Sequence, residues 1–190
     1  YLNYLKRILK VTKKPVSFEI FADDHKNMIL QGIKIDNLGK NIYVKVPVCN
    51  SQGIFTGKVI KELNSKNIKL NITAVYNSNQ TKKILRQLKK KTRVIISIFA
   101  GRAADTGKDP VPEFIKSISL AKKYKNVSIL WASVREPYNY LQARKVGCHI
   151  ITVPPSIIEK IEKFGKGYNQ LTIETVQAFL KDSKKAKFKI

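Results

Sequence analysis

Short apolar segments alternate with segments of helical period along the whole chain. The apolar segments are rich in β-branched residues and have the length of buried strands; they cover 16–22, 41–47, 68–74, 93–99, 127–133 and 148–153. Segments with helical spacing follow them at 24–38, 51–65, 77–91, 110–125, 137–146, 155–164 and 172–182. This strict alternation predicts an α/β fold of parallel strands joined by right-handed helical crossovers.

Two architectures fit this alternation, an open doubly wound sheet and a closed (β/α)8 barrel, and six strands do not choose between them. The length of 190 residues favours a single domain over 1–190. A helical segment at 1–11 has no strand before it, so we expect one or two strand–helix units to precede it in the complete protein. Segment 172–190 is predicted to be a C-terminal helix with a basic tail.

The formal net charge of +24 raises the question of a nucleic-acid partner, because clustered cations bind phosphates. Only six of the 37 cationic side chains are arginines, whereas reading of bases and bidentate binding of phosphate favour arginine. Lysines occur in nearly every predicted helix. We therefore interpret the charge as a general feature of the composition and expect no nucleic-acid partner, although clustering of the lysines on one face would favour the alternative.

Metal and membrane functions have little support in the sequence. Cys49 and Cys148 lie far apart, and His25 and His149 show no ligand spacing, so we expect free thiols and no metal site. No apolar run approaches the roughly 20 residues that cross a bilayer, and the first residues do not resemble a signal peptide. We expect no membrane partner and a reducing, cytoplasmic location.

Polar and unusual side chains fall on one parity within their predicted strands, and the opposite parity is chiefly apolar. These side chains are Ser17, Glu19, Lys45, Asn71, Thr73, Ser97, Phe99, Trp131 and Ser133. If this parity points into a barrel, its members converge near the carboxyl ends of the strands, where barrel enzymes keep their active sites. The pattern predicts one pocket.

Lys45 is the side chain in this set with the most distinctive chemistry. Between two valines in mid-strand its amino group would be poorly solvated, which favours the neutral, nucleophilic amine. The imine of such an amine with a ketose acts as an electron sink, so a neighbouring carbon–carbon bond can break and re-form without a metal. Taken alone, Lys45 could equally reach solvent from a strand end. Its neighbours favour catalysis, since Glu19 could shuttle protons and Asn71 and Thr73 could position water and substrate hydroxyls.

A second candidate site follows the later strands. Arg102 comes after one strand, and Ser133 and Arg135 come after the next. Barrels often bind phosphate on these loops, and arginine binds it with two parallel hydrogen bonds. The alternative is that both arginines form surface ion pairs.

Four motifs resemble the transaldolase family, in particular its small members and the related fructose-6-phosphate aldolases. They are YVKVPV around Lys45, NITAVY, SIFAGR and ASVREP, and the similarity covers most of the chain. The resemblance implies a (β/α)8 barrel of the class I aldolase type with about six of the eight strand–helix units present. It also implies roles for the candidates: Lys45 forms the imine, Glu19 and Thr73 flank the catalytic water, Asn71, Ser97 and Phe99 contact the substrate, and Arg102, Ser133 and Arg135 bind the sugar phosphate.

The implied activity is that of a transaldolase, which moves a three-carbon dihydroxyacetone unit between sugar phosphates in the pentose phosphate pathway without a cofactor. Glutamate at position 19 and phenylalanine at position 99 resemble the transaldolase pattern, whereas the aldolase branch tends toward glutamine and tyrosine at these positions. The resemblance also implies a homo-oligomer in which the last helix is exchanged between neighbours. A fructose-6-phosphate aldolase-like lyase and a catalytically silent sugar-phosphate-binding relative remain as alternatives.

The sequence also departs from the family pattern. Family members begin with a strand that carries a catalytic aspartate, followed by a Thr-Asn-Pro-Ser segment, and neither stretch occurs in these residues. Cys49, Trp131 and Glu136 stand where the family usually has threonine, a small residue and histidine. These differences are expected to affect the choice of substrate.

Overall fold

The computed structural model describes residues 1–89 and 91–187. The chain forms two compact units, Tyr1–Val153 and Pro154–Ile190. The first contains helices α1 (Leu2–Val11), α2 (His25–Asp36), α3 (Gly57–Ser65), α4 (Ser78–Leu85), α5 (Ala100–Ala104), α6 (Val111–Ala121) and α7 (Tyr138–Lys145). Its strands are β1 (Val16–Glu19), β2 (Ile42–Pro47), β3 (Leu70–Val75), β4 (Val94–Phe99), β5 (Val127–Ala132) and β6 (Ile150–Ile151).

The six strands form one sheet in the order in which they occur in the chain, and every neighbouring pair is parallel. A doubly wound sheet would reverse its strand order at a switch point, whereas a barrel adds each strand beside the previous one. The sequential order therefore selects the barrel, and the first unit is a curled half-barrel made of six of the eight units of a (β/α)8 fold. The predicted fold class is confirmed.

The side chains that face the helices form the core of the first unit. On β2, β3 and β4 they are aliphatic and fully buried, as at Val44, Val46, Ile72, Ile96 and Ile98. Burial of one such side chain contributes about 1.5–3 kcal/mol of hydrophobic free energy. Because these apolar residues pack against the helices, the alternate residues of each strand face the concave side of the sheet.

The predicted parity is wrong for β5. Trp131 is fully buried and stacks on Phe114 of α6, with 4.2 Å between ring centroids, so it faces the helices. Leu130 pairs with Ser97 and Ala132 with Phe99 in the register of β4 and β5, and these two apolar residues face the concave side. The physical reason is that the indole buries more apolar area against α6 than it could in an open cleft.

The second unit consists of helices α8 (Pro155–Ile161) and α9 (Tyr168–Ala186). Both were predicted from periodicity, but α9 begins four residues earlier than expected. The end of the predicted basic tail, 188–190, and position 90 of the predicted helix 77–91 lie outside the described residues. The expectation of a single domain over 1–190 stays a prediction. Across the part of the chain that the structure describes, no helix has both the length and the apolarity needed to cross a bilayer.

Candidate active site

A cleft of about 740 Å³ lies on the concave side of the sheet and reaches the carboxyl ends of the strands. Eight of the nine predicted site residues line this cleft, and all of them belong to the first unit. They are Lys45, Asn71, Thr73, Ser97, Phe99, Arg102, Ser133 and Arg135. The sheet therefore brings together side chains from β2, β3, β4, the start of α5 and the loop after β5.

Lys45 lies at the centre of this arrangement. It is half-buried on β2, between Val44 and Val46, which are fully buried on the helix-facing side. Its register partners are Glu19 on β1 and Asn71 on β3. A lysine in this position presents its amino group to the cleft rather than to the helix layer.

Three polar side chains form a hydrogen-bonded chain across the floor of the cleft. The Ser97 hydroxyl donates to Asn71 Oδ1 at 2.7 Å, and Asn71 Nδ2 donates to Ser17 Oγ at 3.0 Å. Asn71 and Ser97 are 4% and 3% exposed, so their pairing satisfies groups that water reaches poorly. The chain fixes the amide orientation of Asn71 next to Lys45. The sequence placed Ser17 on the same parity as the site residues, but we assigned it no role in the site. That parity was the signal that could have identified it.

Thr73 lies beside an irregularity in β3. The register between β3 and β4 shifts between Ile72 and Val75, and Ala74 adopts a left-handed conformation with φ 57°. Such bulges redirect a side chain at the end of a strand. Thr73 is 4% exposed and lines the cleft, and its carbonyl accepts a hydrogen bond from Val48 at 2.9 Å. The sequence contained no signal for this bulge.

Glu19 is the predicted residue that does not line the cleft. It lines a smaller cavity of about 170 Å³ together with Tyr1 and Phe21. Its backbone N–H donates to the Tyr1 hydroxyl and its carbonyl accepts from that hydroxyl, both at 3.0 Å. Among the ion pairs of the described residues, none joins Glu19 to Lys45. Glu19 is thus next to Lys45 in the sheet register, but it borders a different cavity.

The predicted phosphate clamp lies at the carboxyl end of the sheet. Ser133, immediately after β5, has φ 64°, and this turn brings its side chain to the cleft although its parity within the strand would not. Gly101 is packed against it, because a β-carbon at Gly101 would lie 1.7 Å from the Ser133 carbonyl oxygen. The guanidinium of Arg102 lies 5.3 Å from the centroid of the Phe99 ring. Close packing of the two loops therefore sets the positions of both arginines.

Asp105 is a member of this cluster that the sequence did not indicate. Its carboxylate accepts hydrogen bonds from Arg135 Nε at 3.2 and 3.1 Å and from Arg135 Nη2 at 2.7 Å. These hydrogen bonds hold the pKa of the Asp105 carboxyl below its usual range, and they raise the pKa of Arg135. Both side chains are about half exposed, so solvent screens the pair. Arg135 keeps its remaining N–H donors for a ligand.

The cleft can support the chemistry of an amine with a carbonyl compound. It combines a lysine amino group, a buried amide and hydroxyls, and two guanidinium groups at one end. Within the described residues, no three His, Cys, Asp or Glu side chains gather where they could hold a metal ion. Cys49 and Cys148 are free thiols.

Comparison with known proteins identifies the family. Residues 1–190 match the family model described as Transaldolase/Fructose-6-phosphate aldolase. A probable transaldolase of Clostridioides difficile (strain 630) is 31% identical over 193 residues, which cover 100% of this chain and 82% of that protein. A probable transaldolase of Thermoplasma volcanium is 33% identical over 186 residues, covering 97% of this chain and 78% of the relative.

Among solved structures, the chain is similar to GMP reductase from Trypanosoma brucei in complex with guanosine monophosphate. The TM-score is 0.53 at 10% sequence identity, over 75% of this chain and 30% of the reductase. At this identity the likeness concerns the fold alone. The sequence matches carry the assignment, and they show that the chain belongs to the transaldolase/fructose-6-phosphate aldolase family.

Proposed function

We propose that this chain transfers a three-carbon dihydroxyacetone unit between sugar phosphates through a Schiff base on Lys45. The observation that carries the proposal is the placement of Lys45 in one cleft with Asn71, Ser97 and two arginines. Membership of the family supports an aldolase-type reaction, and the side chains around Lys45 support the imine route. The reaction would belong to the pentose phosphate pathway, in the cytoplasm.

The proposed reaction begins at the amine. The Lys45 amine attacks the keto carbon of a ketose phosphate, and loss of water gives a protonated imine. The bond between the third and fourth carbons then breaks: its electron pair moves into the iminium, the proton of the fourth-carbon hydroxyl goes to a base, and an aldose phosphate leaves. The resulting enamine attacks the aldehyde carbon of an acceptor, and the acceptor's carbonyl oxygen takes the proton that the base had removed. Water then hydrolyses the new imine, which releases the product ketose phosphate and restores the Lys45 amine.

The neighbouring side chains have assigned roles in this proposal. Asn71, held by Ser97 and Ser17, contacts the substrate hydroxyls, with Ser97 and Phe99 beside it. Thr73 positions the water that forms and hydrolyses the imine. Glu19 is the register neighbour of Lys45 but borders a different cavity, so its proposed proton relay to that water requires its side chain to turn toward the cleft. No cofactor takes part, because the iminium itself is the electron sink.

The phosphate end of the substrate is assigned to Arg102, Ser133 and Arg135. Two guanidinium groups and a hydroxyl on adjacent post-strand loops match the geometry with which barrels bind phosphate. Binding at this end would hold the keto carbon over Lys45, so that binding energy far from the reacting bond orients it.

We also propose a homo-oligomer. The support is on α9, where Ile173, Val176 and Phe179 are each more than half exposed at helical spacing.

Trapping with borohydride tests the imine. Reduction in the presence of fructose 6-phosphate should link the sugar to Lys45, as read by peptide mass spectrometry, and the Lys45→Arg variant should remain unmodified. Lys69→Arg is a matched control, since Lys69 is also half-buried beside the sheet but lies outside the cleft. An unmodified Lys45 in the wild-type chain, with sugar bound, would contradict the proposal.

A lyase is the second candidate, because the family description covers both activities. An aldolase releases dihydroxyacetone from fructose 6-phosphate without an acceptor, whereas a transaldolase forms a seven-carbon ketose phosphate only when erythrose 4-phosphate is present. Product analysis with and without that acceptor separates them. A silent relative would bind sugar phosphate saturably but give neither product.

A further inference from the structure

Charge is distributed unequally between the two ends of the parallel sheet. Segments leading into strands contain twelve lysines and arginines among the described residues and no Asp or Glu; they are 12–15, 37–41, 66–69, 86–93 and 122–126. Segments that follow strands contain five Asp or Glu and three Lys or Arg; they are 20–24, 48–56, 76–77, 100–110 (which includes the short helix α5) and 133–137. All strands are parallel, so the first set gathers at the end opposite the carboxyl ends. Twelve of the 37 cationic side chains are therefore gathered at one end of the sheet without an acidic side chain among them.

The densest part of this face is a concave surface between the segments before β4 and β5. A cavity of about 610 Å³ there is lined by Lys91, Arg93, Lys123, Tyr124, Lys125 and Asn126. The four cationic side chains are exposed, and Tyr124 is half-buried between them. Among the ion pairs of the described residues, none involves these four cations. The cavity thus offers uncompensated positive charge around one aromatic ring.

We propose that this basic face, centred on Lys91, Arg93, Lys123 and Lys125, binds single-stranded nucleic acid, for which we take RNA as the partner. Proteins bind single strands without sequence preference by combining cations that follow the phosphates with an aromatic ring on which a base stacks. Here the four cations can follow the phosphates and the Tyr124 ring can stack on a base, and both line one concave surface. From the sequence alone we expected no nucleic-acid partner, because lysines occur in nearly every predicted helix.

The same surface fits other polyanions less well. Binding to an anionic membrane usually adds apolar side chains that enter the lipid, and none of the large exposed apolar residues lies in the five basic segments. Duplex DNA is read mainly by a helix or a two-stranded ribbon placed in the major groove. Here the concave surface is formed by the connections before β4 and β5 instead. Lysines around an aromatic ring match a single strand that is bound without sequence preference.

The four cations of the basic face and the two arginines of the proposed phosphate clamp lie at opposite ends of the strands, although the cleft itself extends back to Pro15 and Ile95. Arg93 immediately precedes β4 and Phe99 is its last residue, so six residue steps, about 20 Å of extended chain, separate the two. Substitutions on the basic face should therefore leave the cleft unchanged. The proposal does not depend on the catalytic activity of Lys45, and its test can be read without any sugar phosphate.

The test compares two triple variants of the full chain. Lys91→Gln, Lys123→Gln and Lys125→Gln remove three cations from the basic face. The charge-matched control removes three exposed lysines near the first turns of α2 and α3, with Lys26→Gln, Lys58→Gln and Lys61→Gln. Fluorescence anisotropy with a labelled 20-nucleotide uridine RNA gives Kd over a range of salt concentrations.

The basic-face variant should bind about tenfold more weakly at low salt, and its log–log salt slope should fall by about 2, since each phosphate contact on a single strand contributes about 0.7. The control should keep both the affinity and the slope of the wild-type chain. Tyr124→Leu should weaken binding several-fold without changing the salt slope, because stacking is not ionic.

Three results would overturn the proposal. Equal weakening in both triple variants would mean that net charge alone attracts the RNA. Binding to vesicles of phosphatidylglycerol and phosphatidylcholine with no binding to RNA would assign the face to a membrane. No retention of RNA by the wild-type chain at low salt would remove the proposed partner, whatever the activity at Lys45. Circular dichroism of each variant confirms that it is folded.

Discussion

Gly101 and Ser133 touch so closely that no other residue type fits at position 101. A β-carbon on Gly101 would stand 1.7 Å from the Ser133 carbonyl oxygen and 2.8 Å from Arg135 Cγ. The contact joins the start of α5 to the turn after β5, and those two segments carry both arginines of the proposed clamp. The glycine is needed for close approach of two backbones.

Gly101→Ala should therefore separate the two arginine-bearing segments. We expect an unfolding free energy lower by about 1–3 kcal/mol, because overpacking forces the backbone to shift. Affinity for fructose 6-phosphate should fall as well, which isothermal titration calorimetry would measure. Gly167→Ala is the matched control, since nothing lies within 4 Å of its β-carbon position and its φ is −72°. Equal stability of the two variants would contradict this account of Gly101.

Asp105 should control how strongly the clamp attracts phosphate. Asp105→Asn keeps an oxygen that can accept a hydrogen bond from Arg135 but removes the negative charge, so phosphate should bind about threefold more tightly at low salt. Asp105→Ala also removes the oxygens that orient the Arg135 guanidinium, so this variant should not show the gain. Titration with fructose 6-phosphate measures the change. Asp109→Asn removes the same charge from a side chain that accepts from the Val111 N–H and not from Arg135, and a gain of equal size there would refute a specific role for Asp105.

Ser97 should contribute to stability through Asn71. Ser97→Ala removes the donor to Asn71 Oδ1 at a site only 3–4% exposed, so an unsatisfied buried acceptor should cost about 1–3 kcal/mol. Ser17→Ala removes the other partner of Asn71 at a half-buried position, where water can replace it, and should cost less. Urea denaturation compares the two variants, and a larger loss in Ser17→Ala would contradict the order.

Glu113 should make stability depend on pH. The Ser78 N–H donates to Glu113 Oε2 at 2.6 Å, and this bond, with a smaller effect of Lys116, holds the Glu113 pKa below its ordinary value of 4.5 although burial opposes the shift. A lowered pKa in the folded state means that the contribution is complete above pH 4.5 and disappears as the pH falls through the folded value.

Glu113→Gln should therefore be less stable than wild type by about 1 kcal/mol at pH 7, after allowance for solvent screening, and nearly equal to it at pH 2–3. Denaturant titrations at the two pH values measure the difference. Lys116→Gln removes only the exposed ion pair and should change stability little at either pH. A constant difference between Glu113→Gln and wild type across pH would show that the carboxylate is not responsible.

The alternation of apolar and helical segments was sufficient to predict six parallel strands, because a buried parallel strand must be apolar and must be followed by a crossover. Parity within β2, β3 and β4 was sufficient to place Lys45, Asn71, Thr73 and Ser97 in one cleft, since alternate side chains on a strand face opposite sides. The motifs identified the family for the same reason: they are local in sequence.

Tertiary packing decided what depends on distant neighbours. Trp131 faces the helices because it stacks on Phe114. Ser133 reaches the cleft through a turn with positive φ, and this turn packs so closely against position 101 that only glycine fits there. Asp105 pairs with Arg135 across 30 residues of chain, and twelve cationic side chains form a basic face only because parallel strands bring five separate segments to one end. Composition and periodicity describe each residue by its neighbours in the chain, whereas these contacts arise from the sheet that joins remote segments.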